Sequence, residues 1–258
     1  MRIIKSLLII SVIFLLLAGC SKAKPAEVQK SDSEEVKSTI KNESEIKVEE
    51  VLTEEPEDKN AVAENLVVGP LPVYADIQNH WGKANIDYLI EKGGVNGYPD
   101  GTFQPDGTIT NAEFLKIAYL SATGETMPEA KAGEHWATAL FSEAEKKGIV
   151  TSGEMPSTAL SILITRYQMA RIMIRLTENV LKEEATNTTG IENLMSDYKT
   201  VSTKTYYNYY VEQAYMKGLI TGMDDIGTFA GSKTGTRAEA CTMIARLLDK
   251  TKRVMVNE

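Results

Sequence analysis

Two His-Trp pairs, His80-Trp81 and His135-Trp136, lie 55 residues apart and contain every histidine and tryptophan of the 258-residue chain. In both copies a glycine follows the tryptophan after twelve residues, and a threonine follows that glycine after seventeen. A third, weaker copy begins at Tyr206. A pattern that keeps one frame over such distances indicates an internal repeat, and the repeat then determines the fold. The glycine and threonine positions are Gly93 and Thr110, Gly148 and Thr165, and Gly218 and Thr236.

Each repeat is predicted to contain two helices joined by a turn-rich loop. The glycine ends the first helix. The second helix begins with a capping box, in which a Thr hydroxyl accepts from the third backbone N–H and a Glu or Gln accepts from the cap. Apolar residues follow on one face, and three such faces must pack together because none can be buried alone. The capping boxes are Thr110 with Glu113, Thr165 with Gln168, and Thr236 with Glu239.

The first twenty residues have the features of a secretion signal. Arg2 and Lys5 precede an apolar run that is too short to span a bilayer comfortably. The tetrad that ends at Cys20 resembles the lipobox of bacterial lipoproteins, which implies cleavage of a signal peptide at 1–19 and a lipid on Cys20. The alternative is an ordinary secretory signal with a chance cysteine. The second cysteine, Cys241, is predicted to be free and buried in a helix.

Residues 20–70 are predicted to be a lipidated cysteine followed by a disordered acidic linker. From residue 21 to residue 70 there is no aromatic residue, and thirteen Asp and Glu stand against seven Lys. Such a segment cannot bury enough apolar surface to offset its ordering entropy. The repeats are predicted at 71–125, 126–182 and 183–254, the last with an insertion at its start. The net charge of −8 lacks the basic surface that nucleic acid requires, so no nucleic-acid partner is expected.

Four strings of the first repeat carry a family resemblance. They are Asp76-Ile77, His80-Trp81, Gly97-Tyr98-Pro99-Asp100-Gly101-Thr102-Phe103 and Ile109-Thr110-Asn111-Ala112-Glu113. Together they resemble the S-layer homology (SLH) domain; the third repeat matches well, and the second only in part because it lacks the loop string. The resemblance implies a mainly α fold of three SLH repeats, forming a monomeric three-pronged spindle with pseudo-threefold symmetry. It also implies binding to cell-wall polysaccharide, often a pyruvylated polymer.

Arg166 and Arg237 directly follow the capping threonine, at the first helical position. A cation there opposes the helix dipole by about 0.3–1 kcal/mol, so stability alone does not favour it. Free N–H groups at the same helix end attract anions. Since the family pattern places its key arginine here, the resemblance implies that this guanidinium binds a pyruvyl carboxylate. The alternative is a solvated arginine paired with a neighbouring acid. Asn111 takes the position in the first repeat without a charge, so the inter-repeat grooves are expected to be unequal.

Trp81 and Trp136 are candidates for the same glycan site because an aromatic face can stack on a sugar. The structural role is favoured, since a Trp at the start of a small helix is more often a core anchor. Asp76 either accepts hydrogen bonds from sugar hydroxyls or braces the first turn of its helix. The other repeats have no acid at the matching offset, and Asp197 is the candidate replacement in the third. The two histidines are expected to pack at helix starts and not to bind metal.

The chain is predicted to be non-catalytic, without a cofactor or a metal. It has no nucleophile elbow, phosphate loop or metal cluster, although two carboxylates converging in a groove would leave glycoside hydrolysis open. We expect an extracytoplasmic protein that a lipid on Cys20 holds at the cell membrane and that the repeats attach to the wall. The alternatives are direct binding of peptidoglycan and docking of an envelope protein.

Overall fold

The computed structural model describes residues 71–255. The predicted signal peptide and linker, including Cys20, lie outside these residues. Within them the chain is mainly α-helical, as expected, with seven α-helices and no β-strand. None of these seven is both long and apolar enough to cross a membrane. The helices are α1 Lys83–Glu91, α2 Asn111–Thr123, α3 Thr138–Lys146, α4 Arg166–Asn179, α5 Tyr198–Ser202, α6 Asn208–Met216 and α7 Arg237–Leu248.

The helices follow the frame of the repeats. Helices α1, α3 and α6 come after the His-Trp pairs and Tyr206, and α2, α4 and α7 come after the capping threonines. Each first helix is followed within a few residues by the expected glycine in a left-handed conformation. These are Gly93 with φ 67°, Gly148 with φ 71° and Gly218 with φ 68°. The prediction of two helices in each repeat is therefore confirmed. Helix α5 is an extra helix of the third repeat and lies between α4 and α6 in the chain.

All three predicted capping boxes are present. Thr110, Thr165 and Thr236 each accept from the backbone N–H three residues on, and the Glu or Gln there accepts from the backbone N–H of the threonine. Each box therefore satisfies two backbone donors that a helix start otherwise leaves without partners.

The first two N–H groups of α2, α4 and α7 are bonded to the loop of another repeat. Helix α2 donates to the second repeat, α4 to the third and α7 to the first, so the three contacts form a closed cycle. Isolated antiparallel bridges reinforce it between Thr110 and Leu163, Thr165 and Thr234, and Thr108 and Thr236. The bonds are Asn111 N to Ile162 O (2.8 Å), Ala112 N to Leu160 O (3.0 Å), Arg166 N to Lys233 O (2.9 Å), Tyr167 N to Gly231 O (2.9 Å), Arg237 N to Gly107 O (2.8 Å) and Ala238 N to Pro105 O (2.8 Å).

Helix packing follows the same cycle. Helix α2 packs on α3, α4 on α6, and α7 on α1, while α2, α4 and α7 also contact one another at the centre. The first helix of each repeat is therefore covered by the second helix of a different repeat. The contact between α1 and α7 joins the first repeat to the third, so no repeat can complete its core alone.

The two histidines stabilise helix starts, as predicted. The Nδ1 of His80 accepts from the backbone N–H of Gly82 (3.0 Å), and the Nδ1 of His135 accepts from that of Ala137 (3.2 Å). The opposite nitrogen, Nε2, therefore carries the proton in the neutral ring. It lies 3.2 Å from Asp106 in the first repeat and 3.1 Å from the Ser161 hydroxyl in the second.

Cys241 lies in the core, also as predicted. The side chain is fully buried on α7 and forms no disulfide. Burial raises the pKa of its thiol to about 12, so the thiolate, which is the reactive form, is suppressed. The residue acts as a small apolar core side chain.

The segment between α4 and α5 is fixed to the end of the described chain through Glu183. Its carboxylate accepts two hydrogen bonds from Arg253, at 3.0 and 2.7 Å, and lies 3.7 Å from Lys250. Lys217 donates to the backbone oxygen of Glu184. Burial opposes ionisation of Glu183, but the bonds from Arg253 together with the charges of Arg253, Lys250 and Lys217 outweigh it and hold its pKa below the ordinary value. This ion-pair cluster therefore ties the start of the third repeat to its end.

Candidate functional site

Arg237 enters the loop of the first repeat from the start of α7. Its guanidinium carbon lies 4.6 Å from the ring centre of Phe103 and 4.8 Å from that of Tyr98, and Nη2 donates to the backbone oxygen of Asn96. Only 7% of the residue is exposed. Its Nε is buried without a hydrogen-bond partner among the described residues. The side chain therefore holds the loop by cation–π contact and one hydrogen bond.

Arg166 does the same to the loop of the third repeat from the start of α4. Nε donates to the backbone oxygen of Phe229 at 2.8 Å, Nη2 to that of Thr221 at 2.7 Å, and the guanidinium lies 5.1 Å from the Phe229 ring. The residue is 3% exposed. Burial lowers the pKa of Arg166, while Glu239 and Asp197 oppose that shift. No carboxylate forms a salt bridge with either arginine in the described chain, so the solvated ion-pair alternative is wrong.

Asn111 contacts the loop of the second repeat in the same way, but its side chain is shorter than that of arginine and makes one hydrogen bond. Its Nδ2 donates to the backbone oxygen of Ala159 at 2.9 Å, and the residue is 1% exposed. Its Oδ1 is buried without a partner among the described residues. The Asn111 side chain does not pack on an aromatic ring as the two arginines do, because the loop here is the short 3₁₀ helix Ser157–Ala159. The contacts of Asn111 therefore differ from those of the two arginines, and unequal binding by the three grooves stays a prediction.

The expectation that these helix ends offer free N–H groups to an anion is wrong. The first two N–H groups of each helix are bonded to a loop and the third to the capping threonine. Sequence reasoning missed this because the acceptors come from another repeat. Direct contact of Arg166, Arg237 and Asn111 with a ligand stays a prediction, and any such contact must use the small exposed edge of the side chain.

Trp81 and Trp136 are exposed, so their interpretation as core anchors is wrong. Trp81 is 63% exposed and Trp136 is 43% exposed, and Tyr206 at the matching place in the third repeat is 76% exposed. The histidine before each indole lies against it, at 5.2 Å and 5.4 Å between ring centres. An exposed aromatic ring with a fixed base is suited to stacking on the apolar face of a sugar.

The exposed rings lie beside the helix starts that carry the inward-pointing residues. Trp81 and Arg237 are neighbours because the residues that follow them, Gly82 and Ala238, are in close contact. A methyl group added to Gly82 would lie 3.1 Å from the Cβ of Ala238. We call these helix ends the α7 site (Trp81 and Arg237), the α4 site (Tyr206 and Arg166) and the α2 site (Trp136 and Asn111). In the α4 site the ring of Tyr207 stacks on that of Tyr167 at 5.2 Å between centres, and in the α2 site Lys116 of α2 lies over Trp136.

Asp76 braces a loop rather than the first turn of its own helix. Its carboxylate accepts from the backbone N–H of Phe103 at 3.0 Å and from that of Gln104 at 2.7 Å. Gln104 has φ 56°, a left-handed conformation that costs a residue with a Cβ about 1–2 kcal/mol. Asp197 makes the same pair of bonds to Phe229 and to Ala230, whose φ is 52°. The expectation that Asp197 replaces Asp76 in the third repeat is confirmed.

Comparison with known proteins identifies these repeats. The model of the S-layer homology domain matches residues 73–115 and 197–241. These ranges contain the two Asp-braced loops, Asp76 to Gln104 and Asp197 to Ala230. The chain carries S-layer homology domains. SLH domains bind cell-wall polymers and anchor proteins to the wall, which associates this chain with the cell envelope.

The relatives share a module with this chain rather than their whole length. An amylopullulanase of Thermoanaerobacterium thermosulfurigenes is 30% identical over 186 residues, covering 69% of this chain and 10% of that protein. Exoglucanase XynX of Acetivibrio thermocellus is 30% identical over 187 residues, covering 69% of this chain and 16% of that protein. The S-layer protein sap of Bacillus anthracis is 29% identical over 177 residues, covering 65% and 20%. The chain thus spans between a tenth and a fifth of the length of these relatives.

The middle repeat lies outside both matched SLH ranges, and its loop is held differently. Glu154 of this loop accepts from Arg175 of α4 at 2.7 and 3.0 Å and from the Thr151 hydroxyl at 2.9 Å, with Arg171 at 3.3 Å. Burial opposes ionisation of Glu154, but the hydrogen bonds and charges of the arginines outweigh it and lower its pKa. The loops of the first and third repeats are held by an arginine from another repeat, whereas this loop is held by ion pairs between Glu154 and arginines of its own repeat.

The turn acids of the SLH loops have structural roles. Asp100 accepts from the backbone N–H of Thr102 at 2.9 Å, and Asp224 accepts from that of Thr228 at 2.8 Å. Hydrogen bonds from the side chain, and then the backbone, of Thr102 and Thr228 lower the pKa of the two carboxyls. Within residues 71–255, no three His, Cys, Asp or Glu side chains are grouped in a way that could hold a metal ion.

An open cleft of about 610 Å³ lies on the third repeat. Its walls come from Asn193 and Leu194, from the loop around Asp224, and from Val254 and Met255 at the end of the described chain. It contains none of the site residues predicted from the sequence, although Thr221 on its wall is the residue whose backbone oxygen binds Arg166. The predicted residues therefore belong to exposed helix ends and loop contacts rather than to this cleft.

Proposed function

We propose that this chain is a non-catalytic envelope protein that binds a cell-wall polysaccharide through the α7, α4 and α2 sites. The observation that supports it most directly is an exposed aromatic ring beside each helix start whose first side chain is inserted into a neighbouring loop. The inserted side chains keep the helix starts and loops in fixed positions, and the rings remain free for a ligand. A prearranged surface of this kind suits glycan binding because little entropy is lost on association.

The proposed architecture is a pseudo-threefold spindle of three SLH repeats. The cyclic hydrogen bonds among the three loops and the packing of α1 on α7 support it. Each prong would then consist of one first helix, one loop and the second helix of a different repeat. The middle repeat is included because its capping box and its place in the cycle match those of the other two.

The proposed ligand is an acidic polymer that carries pyruvate. In the α7 and α4 sites a guanidinium lies beneath an SLH loop, and its charge is not neutralised by a salt bridge among the described residues. Such a charge attracts a carboxylate to the loop surface even where the contact is limited to one edge. Asp76 and Asp197 would act by holding the loop, with the stacking surface supplied by Trp81 and Tyr206. Asn111 makes the α2 site weaker towards an anion.

The proposed role in the cell is a tether between membrane and wall. A lipid on Cys20 would hold the membrane, and a linker of 50 residues has a random-coil reach of about 40 Å and an extended limit near 170 Å. One lipid chain gives only marginal binding, so two or three acyl chains are required for a firm anchor. Mass spectrometry of the mature protein tests this part independently, because an unmodified Cys20 would exclude the anchor.

Sedimentation with purified cell wall tests glycan binding. The protein should sediment with protein-free wall, and much less with wall from which pyruvate has been removed. Trp81→Ala should lower the bound fraction severalfold. Tyr209→Ala is the matched control, since Tyr209 is a 43% exposed aromatic that hydrogen-bonds Glu178 near the far end of α4.

The outcomes separate the competing functions. Binding that survives removal of pyruvate and of the polymer would indicate peptidoglycan as the ligand. Binding that requires wall proteins would indicate an envelope protein instead. New reducing ends after incubation with the polymer would show a glycan-processing enzyme and contradict a non-catalytic role.

A further inference from the structure

The α2 site carries an exposed lysine over its aromatic ring, whereas no described cation lies over Trp81 or Tyr206 in the other two sites. Lys116 lies on α2 with its ammonium 5.9 Å from the ring centre of Trp136. This is the outer limit of a cation–π contact, so the ring holds the ammonium only weakly. Lys116 is exposed and forms no salt bridge among the described residues, so its charge is available to a ligand.

The equivalent positions on α4 and α7 are occupied by side chains that are not available. Arg171 on α4 is 3% exposed, lies 4.9 Å from the Tyr207 ring and pairs with Glu154. Thr242 on α7 is buried and accepts a hydrogen bond from Asn85 at 3.3 Å. Among the described residues, an exposed cation over the ring of the helix-start aromatic is therefore found in the α2 site and not in the other two.

The same site lacks the inserted guanidinium. Asn111 turns its amide nitrogen into the protein, towards the backbone oxygen of Ala159, and brings no charge. The cation that the α7 and α4 sites hold beneath the loop is thus absent here, while a different cation stands at the surface. An ammonium is a point charge without the fixed fork of a guanidinium, so it accepts an anion in many orientations.

We propose that Lys116 and Trp136 form a second type of anionic-sugar site, in which the indole stacks on the sugar ring and Lys116 binds its acidic substituent. The inference rests on the proposed function, because it names the group that binds acid in the α2 site. It predicts that this site depends on an exposed, salt-sensitive contact, whereas the other two use buried guanidinium groups.

The two tryptophans of the chain allow the α2 site to be observed alone. In a Trp81→Phe protein, Trp136 is the single indole, so its fluorescence reports on ligand at this site. Titration with purified pyruvylated polymer should change that fluorescence. Adding Lys116→Ala should weaken the apparent affinity about fivefold, as expected for a partly exposed charge contact, whereas Lys116→Arg should retain most of it.

Two controls make the result specific. Lys252→Ala removes another lysine that lies over an aromatic ring, at 4.7 Å from Tyr88 on α1, and should leave the titration unchanged. Polymer freed of pyruvate should bind the parent protein and the Lys116→Ala variant equally, and polymer freed of phosphate should behave like untreated polymer.

Three outcomes contradict the inference. Equal affinity of the Lys116→Ala and parent proteins for acidic polymer, or tighter binding because the indole is uncovered, would show that Lys116 does not bind the ligand. Loss of affinity only after phosphate removal would assign the anion to a phosphodiester and not to pyruvate. If the unsubstituted protein binds no wall glycan at all, the proposed function fails as well.

Discussion

The loops of the first and second repeats occupy equivalent places in the cycle but are held by different forces. In the first, Arg237 of another repeat is inserted between Phe103 and Tyr98, and Asp76 braces the far end. In the second, Asn111 makes one hydrogen bond, and the loop carboxylate Glu154 pairs with two arginines of its own repeat. The contrast shows that the repeat fold needs its loops fixed, but not by one particular interaction.

The largest difference is expected from removing the inserted side chain. Arg237→Ala should lower the free energy of unfolding by about 3 kcal/mol, because it removes a cation–π contact and leaves the Asn96 oxygen without its charged donor. Asn111→Ala removes one neutral hydrogen bond and should cost about 1 kcal/mol. Urea unfolding of both variants measures this difference. Equal losses would mean that Arg237 is not the main stabiliser of its loop.

The second repeat should respond to pH through Glu154. Its pKa is lowered in the folded protein, so the ion pair contributes stability above the unfolded Glu pKa of about 4.3 and loses it as pH falls through the lower folded value. Glu154→Gln should therefore cost about 2 kcal/mol at pH 7, as a largely buried pair loses one partner. The gap between the variant and the parent protein should narrow below pH 4.

The Arg237 contact contains no carboxylate or imidazole, so the cost of Arg237→Ala should stay nearly constant over these pH values. Unfolding curves at pH 7, 5 and 3.5 give both comparisons. A Glu154→Gln cost that does not change between these values would show that the ion pair is not what holds this loop.

Much of this framework follows from local sequence, and the rest does not. The capping boxes, the terminating glycines and the histidine contacts involve residues close together in the chain, so short motifs predict them. The arginine contacts span 55 to 141 residues, as between Arg237 and Asn96, and no local pattern indicates them. The wrong expectation for the tryptophans has the same origin, since exposure depends on which repeat covers the helix start.

Removing the Asp76 carboxylate, which holds the far end of the first-repeat loop, should lower the free energy of unfolding by less than removing Arg237 does. Asp76→Ala removes the acceptor for two backbone N–H groups and should cost about 1–2 kcal/mol. Gln104→Gly relieves the left-handed conformation and should recover part of that loss in the double variant. The equivalent pair in the third repeat, Asp197→Ala and Ala230→Gly, is the matched test. Failure of both glycine substitutions to recover stability would place the role of the aspartates elsewhere.

The smallest effects on stability are expected from replacing the exposed tryptophans. Trp81 belongs to the first repeat and Trp136 to the second, so the two substitutions again compare these repeats. Trp81→Ala should change the free energy of unfolding by less than about 0.5 kcal/mol, as a largely exposed side chain away from the core does. Trp136→Ala should cost slightly more, because Trp136 is the less exposed of the two and carries Lys116 above its ring. Thermal unfolding followed by circular dichroism gives both values. A loss above about 2 kcal/mol at Trp81 would restore its interpretation as a core anchor, and a small loss combined with reduced wall binding would fix it as a ligand-contacting residue.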